Sequence, residues 1–97
     1  MNTSKRGVIG PYAFAESGIR HFSAPVKLQK IYNNAFDSCV NLSVVDLSEV
    51  NLSNFDGNNK LTIQAGAFNG CNKLNTLALP TYFEFDGSGA FANCPAI

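Results

Sequence analysis

The sequence predicts a repeat solenoid: short β-strands stacked into a parallel sheet and joined by short helical turns. Three observations predict it. The dipeptide Ala-Phe occurs four times, at Ala13-Phe14, Ala35-Phe36, Ala67-Phe68 and Ala90-Phe91, whereas ten Ala and eight Phe in 97 residues give about one such pair by composition alone. Three positions after each Phe stands a small residue, Ser17, Cys39, Cys71 or Cys94, a slot that takes every cysteine in the chain. Four positions before the first three pairs stands an isoleucine, Ile9, Ile31 or Ile63. The pairs are 22, 32 and 23 residues apart, which reads as a unit of about 22–23 residues with about ten inserted once.

Each element of the unit has a local physical reason. Downstream of the small residue come Ile19-x-x-Phe22-x-Ala24-Pro25, Leu42-x-x-Val45-x-Leu47 and Leu74-x-x-Leu77-x-Leu79-Pro80. Alternation of Leu77 and Leu79 with Thr76 and Ala78 is the period of a half-buried strand. Pro25 and Pro80 follow these strands, where a missing N–H breaks no ladder. A short apolar segment ending in Ile comes next. Asn33-Asn34 and Gly66 then open the Ala-Phe turn as tolerated helix N-caps. A helix over 35–41 is far below the ~12–15 residues that stand alone in water, so Phe36 must enter a core shared between units. In the fourth unit Phe83 and Phe85 supply the apolar pair ahead of Gly87-Ser88-Gly89. The extra residues fall in Ser48–Lys60, where Asn51, Asn54, Gly57, Asn58 and Asn59 predict a projecting loop or irregular turn. Val50, Leu52 and Phe55 leave open an extra strand or packing against the solenoid.

The run Ile-x-x-x-Ala-Phe-x-x-Cys-x-x-Leu-x-x-Leu-x-Leu-Pro, as in Ile63–Pro80, resembles the BspA-type leucine-rich repeat over about residues 8–97. The first unit, Ala13-Phe14-Ala15-Glu16-Ser17-Gly18-Ile19, is similar to a Ser-Gly variant of that repeat. The resemblance implies a right-handed solenoid of the leucine-rich-repeat type, a single segment over 1–97. Its units are read as 8–25, 26–47, 61–80 and 81–97, with an insertion at 48–60. It also implies a surface adhesin-like or secreted binding protein, hence a cell-surface or secreted location. Lys5 and Arg6 ahead of Gly7–Ala15 resemble the first two regions of a signal peptide. That stretch belongs to the repeat, so no signal is expected in it and a cytoplasmic location stays open.

Composition narrows the function classes. Seven Lys+Arg balance seven Asp+Glu, which argues against a nucleic-acid partner. Charged residues are 14% and hydrophobic residues 45%, the profile of a chain that buries a core. No run nears the ~20 apolar residues of a spanning helix, so membrane insertion is not expected. The charge is uneven. Residues 1–30 carry five basic groups and one acidic, a net +4, and residues 31–97 two basic and six acidic, a net −4. Such a dipolar module can stack head to tail with its own kind, although scattered surface charge explains the same numbers.

Candidate chemistry is sparse. The cysteine spacings match no close-pair zinc pattern, and the shared slot predicts stacked, buried thiols acting as small apolar groups. His21, Ser23 and Asp46 can be assembled on paper into a nucleophile, base and carboxylate, but no nucleophile-elbow motif surrounds the serine. Glu84 and Asp86 flank Phe85 as a solvated strand face, and Gly87-Ser88-Gly89 lacks the lysine and spacing of a phosphate loop. Asn2-Thr3-Ser4, Asn41-Leu42-Ser43 and Asn51-Leu52-Ser53 match the glycosylation sequon, with Asn51 expected to be more accessible than Asn41. No enzyme, cofactor or metal is expected.

The expected function is a non-catalytic module for a protein or cell-surface ligand, a segment of a larger surface or secreted repeat protein. The alternatives are an accessory segment attached to an enzyme or carbohydrate-binding domain, and self-association through the open solenoid ends. With the leucines of each strand pointing inward, the outward positions are His21 and Ser23, Val44 and Asp46, and Thr76 and Ala78. These six are the expected partner-binding residues.

Overall fold

The computed structural model describes residues 7–52 and 59–97. The Asn-rich middle of the insertion with Phe55, the Ser53 end of one sequon and the Asn2-Thr3-Ser4 sequon lie outside the described residues.

Among the described residues seven strands form in chain order: β1 (Gly7–Ile9), β2 (His21–Ser23), β3 (Leu28–Ile31), β4 (Val44–Asp46), β5 (Leu61–Gln64), β6 (Thr76–Ala78) and β7 (Phe83–Asp86). They make two parallel sheets, ordered β1-β3-β5-β7 and β2-β4-β6. The sequence predicts the second of these, and of the first only a strand face at Glu84 and Asp86. The apolar segments ending in Ile are themselves strands, and they build the larger sheet. Their pattern misleads because Leu28-Gln29-Lys30-Ile31 does not alternate, and β1 and β3 shift register between Gly7 and Val8.

Register shows how the stack absorbs the insertion. Val8 pairs with Lys30, His21 with Val44 and Thr62 with Glu84, offsets of 22 or 23 residues. Lys30 pairs with Thr62 and Val44 with Thr76, offsets of 32. The additional residues therefore fall between β4 and β5 without displacing the register of either sheet. The start of the insertion does not project as the sequence suggests. Val50 and Leu52 join the central hydrophobic cluster, and the Asn51 N–H donates to the Val26 carbonyl of the preceding coil. Two apolar side chains gain more from burial, about 1.5–3 kcal/mol each, than a polar loop gains from solvation.

The fourth coil keeps its frame in a different way. Phe85 pairs with Ile63 and so takes the isoleucine place, although five residues rather than four separate it from Ala90. Gly87 absorbs the extra residue at φ 111°, where a Cβ would meet that of Ala65 at 3.0 Å.

The Ala-Phe segments are turns, and no helix occurs among the described residues. Two positions in every coil adopt the left-handed region, one just before Ala (Tyr12, Asn34, Gly66, Gly89) and one two after Phe (Glu16, Ser38, Gly70, Asn93). A repeated positive φ is incompatible with a right-handed helix. It also alternates the direction of successive N–H groups. Ala35, Asp37 and Cys39 bond back within their coil to Tyr32, Asn34 and Phe36, while Asn34, Phe36 and Ser38 bond forward to Ala65, Ala67 and Asn69 of the next. Asn34 and Gly66 are thus left-handed turn residues instead of helix caps.

The core lies between the sheets and this ladder of turns. Phe36 and Phe68 are fully buried and stacked with centroids 4.9 Å apart and planes 5° from parallel. Phe14 and Phe91 extend the column at 5.2 and 5.1 Å. Such pairs contribute roughly 0.5–1.5 kcal/mol beyond their burial. Beside the column run the three thiols, all free and buried. They are more than small apolar groups. The Sγ of Cys39, Cys71 and Cys94 donates to the carbonyl of Phe14, Phe36 and Phe68 at 3.0, 3.2 and 3.0 Å. Each of these carbonyls also accepts the N–H three residues on in its own coil, from Ser17, Cys39 and Cys71, so both lone pairs are used. Burial raises the Cys71 thiol to about 12 and the Cys94 thiol in the same direction, which keeps the donating protons in place.

Candidate partner-binding face

The six predicted residues meet on the outer side of the three-stranded sheet. His21, Val44 and Thr76 form one row across β2, β4 and β6, and Ser23, Asp46 and Ala78 form the next. Between the rows Val45 is buried and Phe22 and Leu77 pack against the core as expected, whereas Leu79, expected to point inward, is 36% exposed just past the end of β6. His21, Ser23 and Thr76 are exposed, while Val44, Asp46 and Ala78 are half-buried. At a strand spacing of about 4.8 Å the rows span a surface roughly 10–15 Å across.

Local bonds order this face. His21 Nε2 and Ser23 Oγ share a hydrogen bond at 3.0 Å. The Ser48 hydroxyl and the Ser48 N–H, the latter at 2.9 Å, both donate to Asp46 Oδ1. These two donors, the hydroxyl first, hold the Asp46 carboxyl below the usual carboxylate range, so the face carries a fixed negative charge at neutral pH. Thr76 Oγ1 donates to Asn75 Oδ1 at the far edge. The rim is fixed by backbone as well, since the Ser43 N–H donates to Arg20 and the Asn75 N–H to Ser43.

The geometry brings His21 to Ser23 but gives the carboxylate to Ser48, across the strand from the imidazole's partner. A base oriented by a carboxylate, as nucleophilic catalysis needs, is not assembled. Glu84 and Asp86 are exposed on β7 and accept bonds from Thr62 and Gln64 of β5 at 3.4 and 3.2 Å. Among the described residues no three of His, Cys, Asp and Glu gather as metal ligands. Asn41 is exposed, while Ser43 of the same sequon donates its hydroxyl to the Arg20 carbonyl.

A second outward face belongs to the four-stranded sheet, and sequence reasoning missed it. It aligns Val8, Lys30, Thr62 and Glu84 in one row. Lys30 Nζ sits 4.5 Å from the centre of the Tyr32 ring, and Lys60 lies 4.0 Å from Glu84. The spacing of the isoleucines carried the signal: residues beside a periodic buried position are themselves periodic and outward. No helix among the described residues is long and apolar enough to cross a membrane. Residues 48–97 match the family model described as the BspA type leucine rich repeat region (6 copies). Neither the curated proteins nor the solved structures contain a match.

Proposed function

Since the chain belongs to the BspA-type leucine-rich repeat family, we propose that it is a non-catalytic interaction module whose partner, a protein or cell-surface ligand, is met by His21, Ser23, Val44, Asp46, Thr76 and Ala78. The observation that carries this reading is the in-register alignment of these six positions in two outward rows. Strand pairing fixes their backbone, so binding orders little that is not already ordered, and this lowers the entropic cost of association. The face is small beside the ~800 Å² a partner usually buries. Useful affinity therefore comes from several coils acting together, in a surface or secreted protein. A segment accessory to an enzyme is the alternative; no residue of this face favours it.

The test is surface plasmon resonance of the chain against a panel of purified extracellular proteins, with wild type and His21→Ala/Asp46→Ala compared. At least a tenfold loss of affinity in a variant that melts like wild type is expected. Undiminished binding by the folded variant would move the site off this face, to the 48–60 segment or to the four-stranded sheet.

A further inference from the structure

In the coil that holds the additional residues, the turn after β4 is tied to the coil before it. The Asn51 N–H donates to the Val26 carbonyl at 2.8 Å, and Val50 and Leu52 enter the core. Toward the following coil the Leu47 N–H reaches the Ala78 carbonyl and the Leu61 N–H reaches that of Tyr82. Between those two contacts, among the described residues, no backbone hydrogen bond joins 48–52 to 79–82. A cleft of about 400 Å³ opens there, within the ~300–1,000 Å³ range of small-molecule sites.

Its wall is polar. Ser48, Glu49, Asn51, Asn59, Thr81 and Tyr82 line it, and Val50 and Leu52 add little, being 8% and 1% exposed. The Ser48 hydroxyl is committed to Asp46. Among the described residues the side chains of Glu49, Asn59, Thr81 and Tyr82 make no hydrogen bond within the protein. Tyr82 is 53% exposed, so this wall offers an aromatic ring as well as polar groups.

We propose that this cleft binds a neutral saccharide. A sugar ring has an apolar C–H face and a rim of hydroxyls that both donate and accept. The Tyr82 ring suits the face, since an aromatic side chain carries an apolar body with a polar tip. The rim suits the Glu49 carboxylate as acceptor, the Asn59 amide as donor and acceptor, and the Thr81 hydroxyl as either. Other ligand classes match this wall less well. It holds one carboxylate and no cationic side chain, so a phosphate or other anion meets repulsion. An apolar ligand needs a predominantly apolar lining. A divalent cation needs several oxygen ligands, and among the described residues no three of His, Cys, Asp and Glu gather. The cleft meets the partner-binding face only through Ser48, and neither reading depends on the other.

Titration of the chain with maltose, cellobiose, lactose and N,N′-diacetylchitobiose, followed by amide-proton NMR, tests it. At least one of the four is expected to bind saturably at millimolar concentration and to move the signals of residues 48–52, 59 and 81–82. Tyr82→Ala is expected to weaken that binding roughly tenfold, and Glu49→Gln about threefold. Tyr82→Phe keeps the ring and is expected to stay within about twofold of wild type. Glu49, Thr81 and Tyr82 are exposed, so these variants should melt like wild type; if Tyr82→Ala does not, Glu49→Gln and Thr81→Ala carry the test. No response to any of the four sugars overturns the proposal. Saturable shifts that map elsewhere, or affinity unchanged in the folded variants, overturn it as well.

Discussion

The first coil and the third share one backbone and differ in what occupies it. In the third coil the two left-handed positions are Gly66 and Gly70, the thiol slot holds Cys71 and the ring is the fully buried Phe68. In the first they are Tyr12 and Glu16, the slot holds Ser17, and Phe14 is 39% exposed. Left-handed φ costs a non-glycine residue about 1–2 kcal/mol, so the first coil carries strain that the third avoids. Among the described residues no Phe carbonyl stands before Ser17 for its hydroxyl to reach. Instead its hydroxyl lies 3.8 Å from Cys39 Sγ. A coil of this solenoid is therefore imposed by its neighbours. The second coil, covered on both sides, also places Ser38 in the left-handed region, and the fourth has Gly89 and Asn93 there, so the backbone persists whether or not its side chains suit it.

The sharpest way to break the comparison is to remove the ring from each coil. Phe68→Ala is expected to lose about 3–5 kcal/mol, because the cavity is walled by Phe36 and Phe91 on either side. Phe14→Ala, with one face already open, is expected to lose less than half of that. Urea denaturation followed by circular dichroism measures both. Equal losses would mean that the ends are packed as tightly as the middle.

Alkaline pH attacks the thiol column, to which the first coil contributes an acceptor, the Phe14 carbonyl, but no thiol. The Cys71 thiol is raised to about 12, chiefly by burial, and Cys94 is raised as well. An unfolded thiol titrates near 8.5, so above that pH the unfolded chain releases protons that the folded chain still holds. Stability from this source is complete below about pH 8.5 and is lost progressively as pH rises toward 12. Melting temperatures measured across this range under reducing conditions are expected to fall, and Cys71→Ala should flatten the slope. An unchanged slope in that variant would take Cys71 out of the alkaline transition.

The smallest effects come from exchanging the left-handed residues, and they have opposite signs. Gly66→Ala is expected to cost about 1–2 kcal/mol, since its φ is 67° and the added Cβ would meet Asn34 Nδ2 at 2.8 Å. Asn34 is itself held by a bond to Asp37 at 3.1 Å. Glu16→Gly relieves strain at φ 59° while loosening the unfolded chain, so a gain of at most about 1 kcal/mol is expected in the same denaturation experiment.

How much was legible follows from where each signal resides. The Ala-Phe-x-x-Cys slots, the isoleucines four residues upstream and the leucine strands mark the coil directly, because burial demands an apolar side chain whatever its neighbours do. For the same reason the outward rows of β2, β4 and β6 could be named in advance: period-two alternation leaves them no other direction. The second sheet was hidden because Leu28-Gln29-Lys30-Ile31 does not alternate and β1 shifts register against β3, although β5 and β7 do alternate. The turns were mistaken for helices because Tyr12, Glu16 and Ser38 occupy left-handed positions without the glycine or asparagine that would announce them.

By itself, then, the sequence determined the family and the identity of the core column, both properties of which residues must leave water. Tertiary structure alone decided the rest. The thiol donors find Phe carbonyls 25, 35 and 26 residues away, Asp46 is claimed by Ser48, and Val50 and Leu52 return to the core. Burial depends on a residue's own chemistry and so is written locally, whereas a hydrogen bond between coils needs a partner whose position only the stacked chain supplies.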